Sequence, residues 1–311
     1  MTRIEEFGWK GEVEPGLGRI VSAHGDYYHL VCNEQPSGEI LARKKKSAFT
    51  RMKTTGTDDM KVVKLTKYQK SALSRNVSTS AVQPSTINLQ PLQPITGDFV
   101  RFRYNSQGES LITEILPRFS HFERKDPTAK RKSQTLAVNF DTLFIMMSLN
   151  ENFSTARIER YLTLAEDMGG GEAVVVVTKV DLRQEGDEEF FEELRETVGD
   201  RARILEISSL TGEGMDAVME YVKPGRTLAF IGSSGVGKST LLNTLAGEEW
   251  AATQEIQEWS GKGRHTTTSR ELVMLPSGAM VIDTPGIREI GMLGEQDEIR
   301  AKGTASHRWR K

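Results

Sequence analysis

Residues 227–242, TLAFIGSSGVGKSTLL, restrict the fold of this chain more than any other stretch. An apolar strand-forming run, a glycine-rich turn and a helix-forming run follow one another, and inside them Gly232-x-x-x-x-Gly237-Lys238-Ser239 is a complete phosphate-binding loop. Gly232, Gly235 and Gly237 let the backbone curl so that successive N–H groups point inward at a helix N-terminus and cradle phosphate oxygens. Lys238 is placed to bridge the β- and γ-phosphates, and the Ser239 hydroxyl to ligate Mg2+. Ile231, Ser233, Ser234, Val236 and Thr240 complete the nucleotide-binding stretch. The bland alternative, a glycine-rich turn carrying an exposed Lys, leaves the strand before it and the helix after it unexplained.

The 311 residues suffice for two domains, and 37% apolar composition suffices for ordinary cores. Cys32 is the single cysteine, which rules out a disulfide framework or a cysteine-rich zinc site within this sequence and fits a reducing compartment. No apolar run approaches a membrane span and MTRIEEFGWK lacks a signal-peptide core, so a cytoplasmic location and no membrane partner are expected. The net charge of -2 conceals an asymmetry. Residues 1–134 carry 22 Lys and Arg against 14 Asp and Glu, whereas residues 135–311 carry 19 against 29. A basic front half suits a polyanion such as RNA, although lysines that merely solvate a loop give the same balance.

Read in order, residues 1–15 form a leader in which Phe7 and Trp9 are placed to pack on the segment after it. Five short β-rich runs come next, at 19–23, 27–32, 38–43, 98–104 and 111–116, which predict a small barrel; their periodicity fits the oligonucleotide-binding type without separating it from other small barrels. Between the third and fourth lies a long stretch, 44–96, basic at its start and rich in Ser, Thr, Gln and Pro at its end, which reads as a mobile charged loop with a short helix conceivable near 60–72. The division expected is a barrel over 1–116, a basic connector over 117–134, a nucleotide domain over 135–293 and a tail over 294–311. In the third of these, strand 143–149 leads to a helix capped by Ser154, with Ile158, Tyr161, Leu162, Ala165 and Met168 at helical spacing. Residues 173–178, AVVVVT, read as a parallel strand buried on both faces. A helix over 187–198, a strand over 204–207 and a helix over 215–222 lead to the phosphate loop, and a hairpin over 271–283 follows it. The alternation predicts an α/β domain with a largely parallel sheet.

Thr178-Lys179-Val180-Asp181, directly after the buried strand, has the form of a guanine reader. The Asp181 carboxylate accepts from the two donors on the guanine edge, which adenine does not offer in that arrangement, and Lys179 lays its alkyl stem along the base. Residues 207–214, ISSLTGEG, resemble the loop that closes over guanine, with Ser208 and Ser209 giving mainly backbone N–H groups. Asp283-Thr284-Pro285-Gly286 ends a strand, so that Asp283 holds Mg2+ through water and the Gly286 N–H faces the γ-phosphate. Gly263–Thr268, GRHTTT, supplies a hydroxyl for Mg2+, assigned to Thr267, from a segment suited to a switch.

These elements stand in an unusual order: base reader, base-closing loop, phosphate loop, switch, Mg2+ aspartate. That is a circular permutation of the ordinary GTPase order. Together with GRIVSAHG, SLNENFSTARIERYL, SSLTGEGMD, GSSGVGKSTLLN and GRHTTTSREL, it resembles the ribosome small-subunit-dependent GTPase A family. The resemblance implies a circularly permuted P-loop GTPase domain behind an OB-type barrel. It further implies a monomer that hydrolyses GTP to GDP in late maturation of the small ribosomal subunit, with the barrel docked on rRNA. Ile287 stands where many GTPases carry a water-orienting Gln, so slow intrinsic turnover is expected and His265 becomes the candidate replacement; His265, Lys238 and Thr267 form the expected catalytic set. Thr178 stands where Asn is commoner, which predicts a looser base loop. The family's zinc domain is expected to be missing, since residues 294–311 hold no Cys and only His307, and zinc is not expected in this chain. The rival functions are a nucleotide-gated RNA-binding scaffold with little turnover and an ATP-using P-loop enzyme, which Asp181 disfavours.

Overall fold

The computed structural model describes residues 1–44, 93–124, 134–149, 153–233, 235–247 and 271–283. The long basic stretch, and the switch and tail readings at 248–270 and 284–311, lie outside them.

Helix α1 (Arg3–Glu6) is closed by a capping box between Thr2 and Glu5. Strands β1 (Leu17–His24), β2 (Tyr27–Cys32), β3 (Ile40–Lys44), β4 (Phe99–Arg103) and β5 (Ser110–Ile115) then pair in the order β1-β2-β3-β5-β4. β4 returns to β1 through Leu17↔Arg101 and Gly18↔Val100, closing the barrel. Only the β3–β5 pair is parallel. This closed Greek-key order is that of the OB fold, which resolves the choice left open by periodicity. The strands alternate as a half-buried sheet must: Ile40 and Ala42 face in, Leu41 and Arg43 face out. From the leader, Phe7 enters the core beside Val21, and the Trp9 ring lies 5.0 Å from that of Phe99.

Within the stretch read as a connector, β6 (His121–Arg124) pairs antiparallel with β7 (Gln134–Val138) as a separate ribbon. Phe122, Leu136, Ala137 and Val138 are buried, so the ribbon is anchored by apolar side chains that the basic residues around it obscure in the sequence.

The second half is a parallel sheet: β8 (Thr142–Ser148), β9 (Glu172–Thr178), β10 (Arg203–Ile207), β11 (Thr227–Ile231) and β13 (Met280–Asp283). They lie in the order β10-β9-β8-β11-β13, followed by antiparallel β12 (Glu271–Met274). Every residue of β8 and of β11 is buried, because helices cover both faces. Leu143, Ile145, Met147, Val175 and Val177 pack toward α2 (Thr155–Ala165) and α3 (Glu188–Val198) through Ile158, Tyr161, Phe191 and Leu194. Phe144, Met146, Val174 and Val176 pack on the opposite face with Val218 of α4 (Met215–Met219) and Leu241 and Leu245 of α5 (Lys238–Ala246). Helix α4 is shorter than the predicted 215–222. Its last turn tightens to Tyr221 N–H to Val218 O and Val222 N–H to Met219 O as the chain approaches Pro224.

Barrel and nucleotide sheet are continuous. Ser22 of β1 pairs with Glu271 of β12, giving eleven strands in one sheet. Arg19 of β1 pins the junction: 1% exposed, it donates to the carbonyls of Phe7 (2.7 Å), Gly97 (3.3 Å) and Asn139 (2.8 Å) and to the Thr227 hydroxyl (2.9 Å). Burial pushes the guanidinium down to about 10, opposed by Asp141 and Asp98. Asp141 meanwhile accepts from the Thr227 N–H at 2.8 Å and from Lys10 and Arg226. Thr227 opens the strand that feeds the phosphate loop, so that strand starts from a fixed point.

Candidate functional site

The site is built at the carboxyl ends of the parallel strands, where ligands of open α/β sheets bind. β11 runs into the phosphate loop at Gly232, whose position leaves no space for a side chain: a Cβ there would lie 2.6 Å from the carbonyl oxygen of Met146 on β8. Gly237, at φ +89°, turns the chain into α5 as its N-cap. The Lys238 ammonium bonds the carbonyl oxygens of Gly232 (2.6 Å) and Ser233 (2.7 Å), so its charge lies over the first half of the loop. Ser239 and Thr240 follow in the first turn of α5, both exposed, Val236 is buried against the core, and Gly235 is exposed at the tip. Ser234 lies outside the described residues.

The base reader comes off β9, two strands away across β8. Its first residue, Thr178, is 3% exposed and donates its hydroxyl to the carbonyl of Val236 in the phosphate loop at 2.7 Å, with Met147 O at 3.3 Å. Thr178 therefore ties the base loop to the phosphate loop instead of loosening it. Lys179 adopts a left-handed backbone, φ +61°, and opens a 3-10 turn over Val180–Leu182. The turn buries Val180 and leaves Asp181 exposed just past the carboxyl end of β9.

β10, paired with β9 through Ile207↔Thr178, delivers the base-closing loop beside it. The Ser208 hydroxyl donates to the Asp181 carboxylate at 2.5 Å and accepts from the N–H groups of Leu210 (3.3 Å) and Thr211 (3.2 Å). Asp181 is thus held by one oxygen through the Ser208 hydroxyl, and Ser209 lies between Ser208 and the Leu210 and Thr211 N–H groups from which that hydroxyl accepts. Sequence reading credits this loop with backbone N–H groups and misses the Ser208 side chain. It also passes over Arg157 in the first turn of α2, whose Nη1 is 3.4 Å from the Ser233 hydroxyl.

Asp283 closes β13, which runs parallel to β11 in the register Leu228↔Val281 and Ala229↔Ile282, so the chain leaves β13 beside the start of the phosphate loop. Among the described residues no cluster of three or more His, Cys, Asp or Glu forms a metal site. His265, Thr267 and Gly286 lie outside the described residues.

The RsgA GTPase family model matches residues 115–293. A small ribosomal subunit biogenesis GTPase RsgA of Leptospira interrogans is 40% identical over 208 residues, covering 66% of this chain and 57% of the relative. A counterpart from Lactiplantibacillus plantarum, small ribosomal subunit biogenesis GTPase RsgA 2, is 36% identical over 274 residues, covering 88% of this chain and 66% of its own. The chain spans somewhat more than half the length of the first and about two thirds of the second. The crystal structure of YjeQ from Thermotoga maritima matches 88% of this chain and 75% of its own with a TM-score of 0.55, a likeness of fold at 24% identity. Since the family match begins at the last barrel strand and takes in base reader and phosphate loop in their permuted order, the chain belongs to the RsgA GTPase family.

Proposed function

We propose that this chain binds GTP and GDP with Mg2+, hydrolyses GTP, and acts in late maturation of the small ribosomal subunit. The observation that carries this reading is the bracing of Asp181: Ser208 holds its carboxylate while Thr178 fixes the same loop to the phosphate loop, so guanine reading and phosphate binding form one bonded unit. The names of the relatives support the ribosomal setting. In this reading Lys238 bridges the β- and γ-phosphates, and Ser239, Thr267 and Asp283 hold Mg2+, which neutralises charge on the phosphates when bound. The Gly286 N–H meets the γ-phosphate, and His265 orients water in place of the Gln that Ile287 replaces. The barrel is the rRNA-facing part. Its β2–β3 face, which in OB folds meets oligonucleotides, presents the exposed Tyr27 with the Arg43 guanidinium 4.3 Å from its ring centre. GTP orders the switch and tightens binding to the particle; hydrolysis releases it. A cytoplasmic monomer in which barrel, connector and nucleotide domain follow one another completes the proposal.

Hydrolysis of GTP by the purified chain, alone and with small ribosomal subunits, tests it, with Lys238→Ala as control. The expected outcome is slow basal turnover that small subunits accelerate and that Lys238→Ala abolishes. Tight GTP binding without stimulated turnover would replace the enzyme with a nucleotide-gated RNA-binding scaffold. Equal competition by ATP would overturn the assignment of Asp181.

A further inference from the structure

Arg157 occupies a position that local helix chemistry would give to an acid. Ser154 is the N-cap of α2, in extended backbone and accepting from the Arg157 N–H, which makes Arg157 the N3 residue. In a capping box that residue is Glu or Gln, reaching back to the cap backbone, and the positive end of the helix dipole favours an anion there. The first turn of α2 holds no acid at all, and its N3 residue is a cation. A break in a local rule points to function.

The guanidinium is directed elsewhere, to the Ser233 hydroxyl at 3.4 Å. The same residue's carbonyl is bonded by the Lys238 ammonium at 2.7 Å. Two cations, one from α2 and one from α5, therefore converge on a single residue of the phosphate loop. Two cations held at one residue of the loop favour an anion beside it. Lys238 marks which anion: in a loop of this form the lysine serves the β- and γ-phosphates, so Ser233 lies at their end of the site. The backbone of α2 is in turn fixed by its buried face, Ile158, Tyr161, Leu162 and Ala165, so the arginine reaches the loop from an anchored base.

The geometry points to Arg157 as a second phosphate-binding cation, an arginine supplied in cis to the terminal phosphate of GTP. This rests on the GTPase reading proposed for the chain. A planar guanidinium suits the γ-phosphate oxygens on which charge is spread during transfer.

The test is the affinity of the whole chain for fluorescent GTP and GDP analogues and the single-turnover rate, for wild type, Arg157→Gln, Arg157→Glu and Arg157→Lys. Gln is expected to weaken the GTP analogue by about ten- to hundredfold while leaving GDP within about twofold, and to slow turnover. Lys restores part of the loss. Glu completes the capping box, so its melting temperature should hold or rise while GTP binding is lost more completely than with Gln; folding and phosphate binding thereby move in opposite directions. Equal loss of GTP and GDP affinity, or a lowered melting temperature tracking the loss, would make Arg157 a structural brace and overturn the proposal. Unchanged GTP affinity in all three variants would overturn it too, while wild type that binds neither nucleotide would overturn the GTPase reading beneath it.

Discussion

Thr178 shows how much one hydroxyl carries in this site. Its position at the end of β9 is legible in the sequence, but its partner, Val236 O, lies 58 residues away, in the loop after a strand two places across the sheet. The residue type alone suggested a looser loop, because Thr is shorter than Asn; the close approach of Gly237, where a Cβ would be only 3.6 Å from the Thr178 hydroxyl, lets the shorter side chain reach. Replacing Thr178 by Val keeps the shape and removes the donor, leaving a carbonyl of the phosphate loop unpaired at a cost of about 1–3 kcal/mol. GTP and GDP affinities should then fall together, by roughly tenfold, in a fluorescence titration. Because both nucleotides depend on this tie, a loss confined to GTP would contradict the assignment. Asp181 was readable from its motif, whereas the Ser208 hydroxyl that orients it was not, since a serine in a loop carries no pattern that tells side-chain from backbone function.

At the scale of elements, the strands and helices of the nucleotide half follow from local sequence: β8, β9 and β11 are apolar runs of strand length, and α2 and α3 repeat at helical spacing. The ribbon β6–β7 and the junction to the barrel were not legible, because each depends on partners far apart in the chain. Arg19 is the clearest case. An arginine in a strand of alternating character reads as a solvent-facing residue, yet it is buried and satisfied by four groups from separate segments. Methionine in its place would leave the carbonyls of Phe7, Gly97 and Asn139 without this donor in a dry interior. A loss of about 3–5 kcal/mol is expected in urea unfolding. Since Thr227 begins the phosphate-loop strand, Thr227→Val should show a smaller loss, about 1 kcal/mol, through the same junction.

For the molecule as a whole, the continuous sheet and the Arg19 junction predict that barrel and nucleotide half unfold together. Cys32 supplies a reporter. It is fully buried at the end of β2, and burial pushes its thiol up to about 11, so at neutral pH it is shielded both sterically and by protonation. Alkylation of this single cysteine should be slow in the native protein and should rise along the same urea curve as the circular dichroism of the helices; among the described residues, all of these except α1 belong to the nucleotide half. A thiol that becomes reactive well before the helices melt would show the barrel to be an independent unit.

The permuted strand order also shapes how this chain is made. β8 and β9, with β10 beside them, emerge from the ribosome with their helices long before β11, the strand that must pair with β8: Thr227 follows Asp141 by 86 residues. At ordinary elongation speeds of about 5–20 residues per second the gap amounts to roughly 4–17 seconds. Throughout that interval a fully buried, largely apolar strand presents an open edge, the feature that invites mispairing between nascent chains. In a GTPase of ordinary order the phosphate-loop strand is translated first and is already waiting. Here the Thr178–Asp181 loop is synthesised before the phosphate loop it is bonded to, and the contact between them can contribute to folding only after most of the sheet has left the exit tunnel.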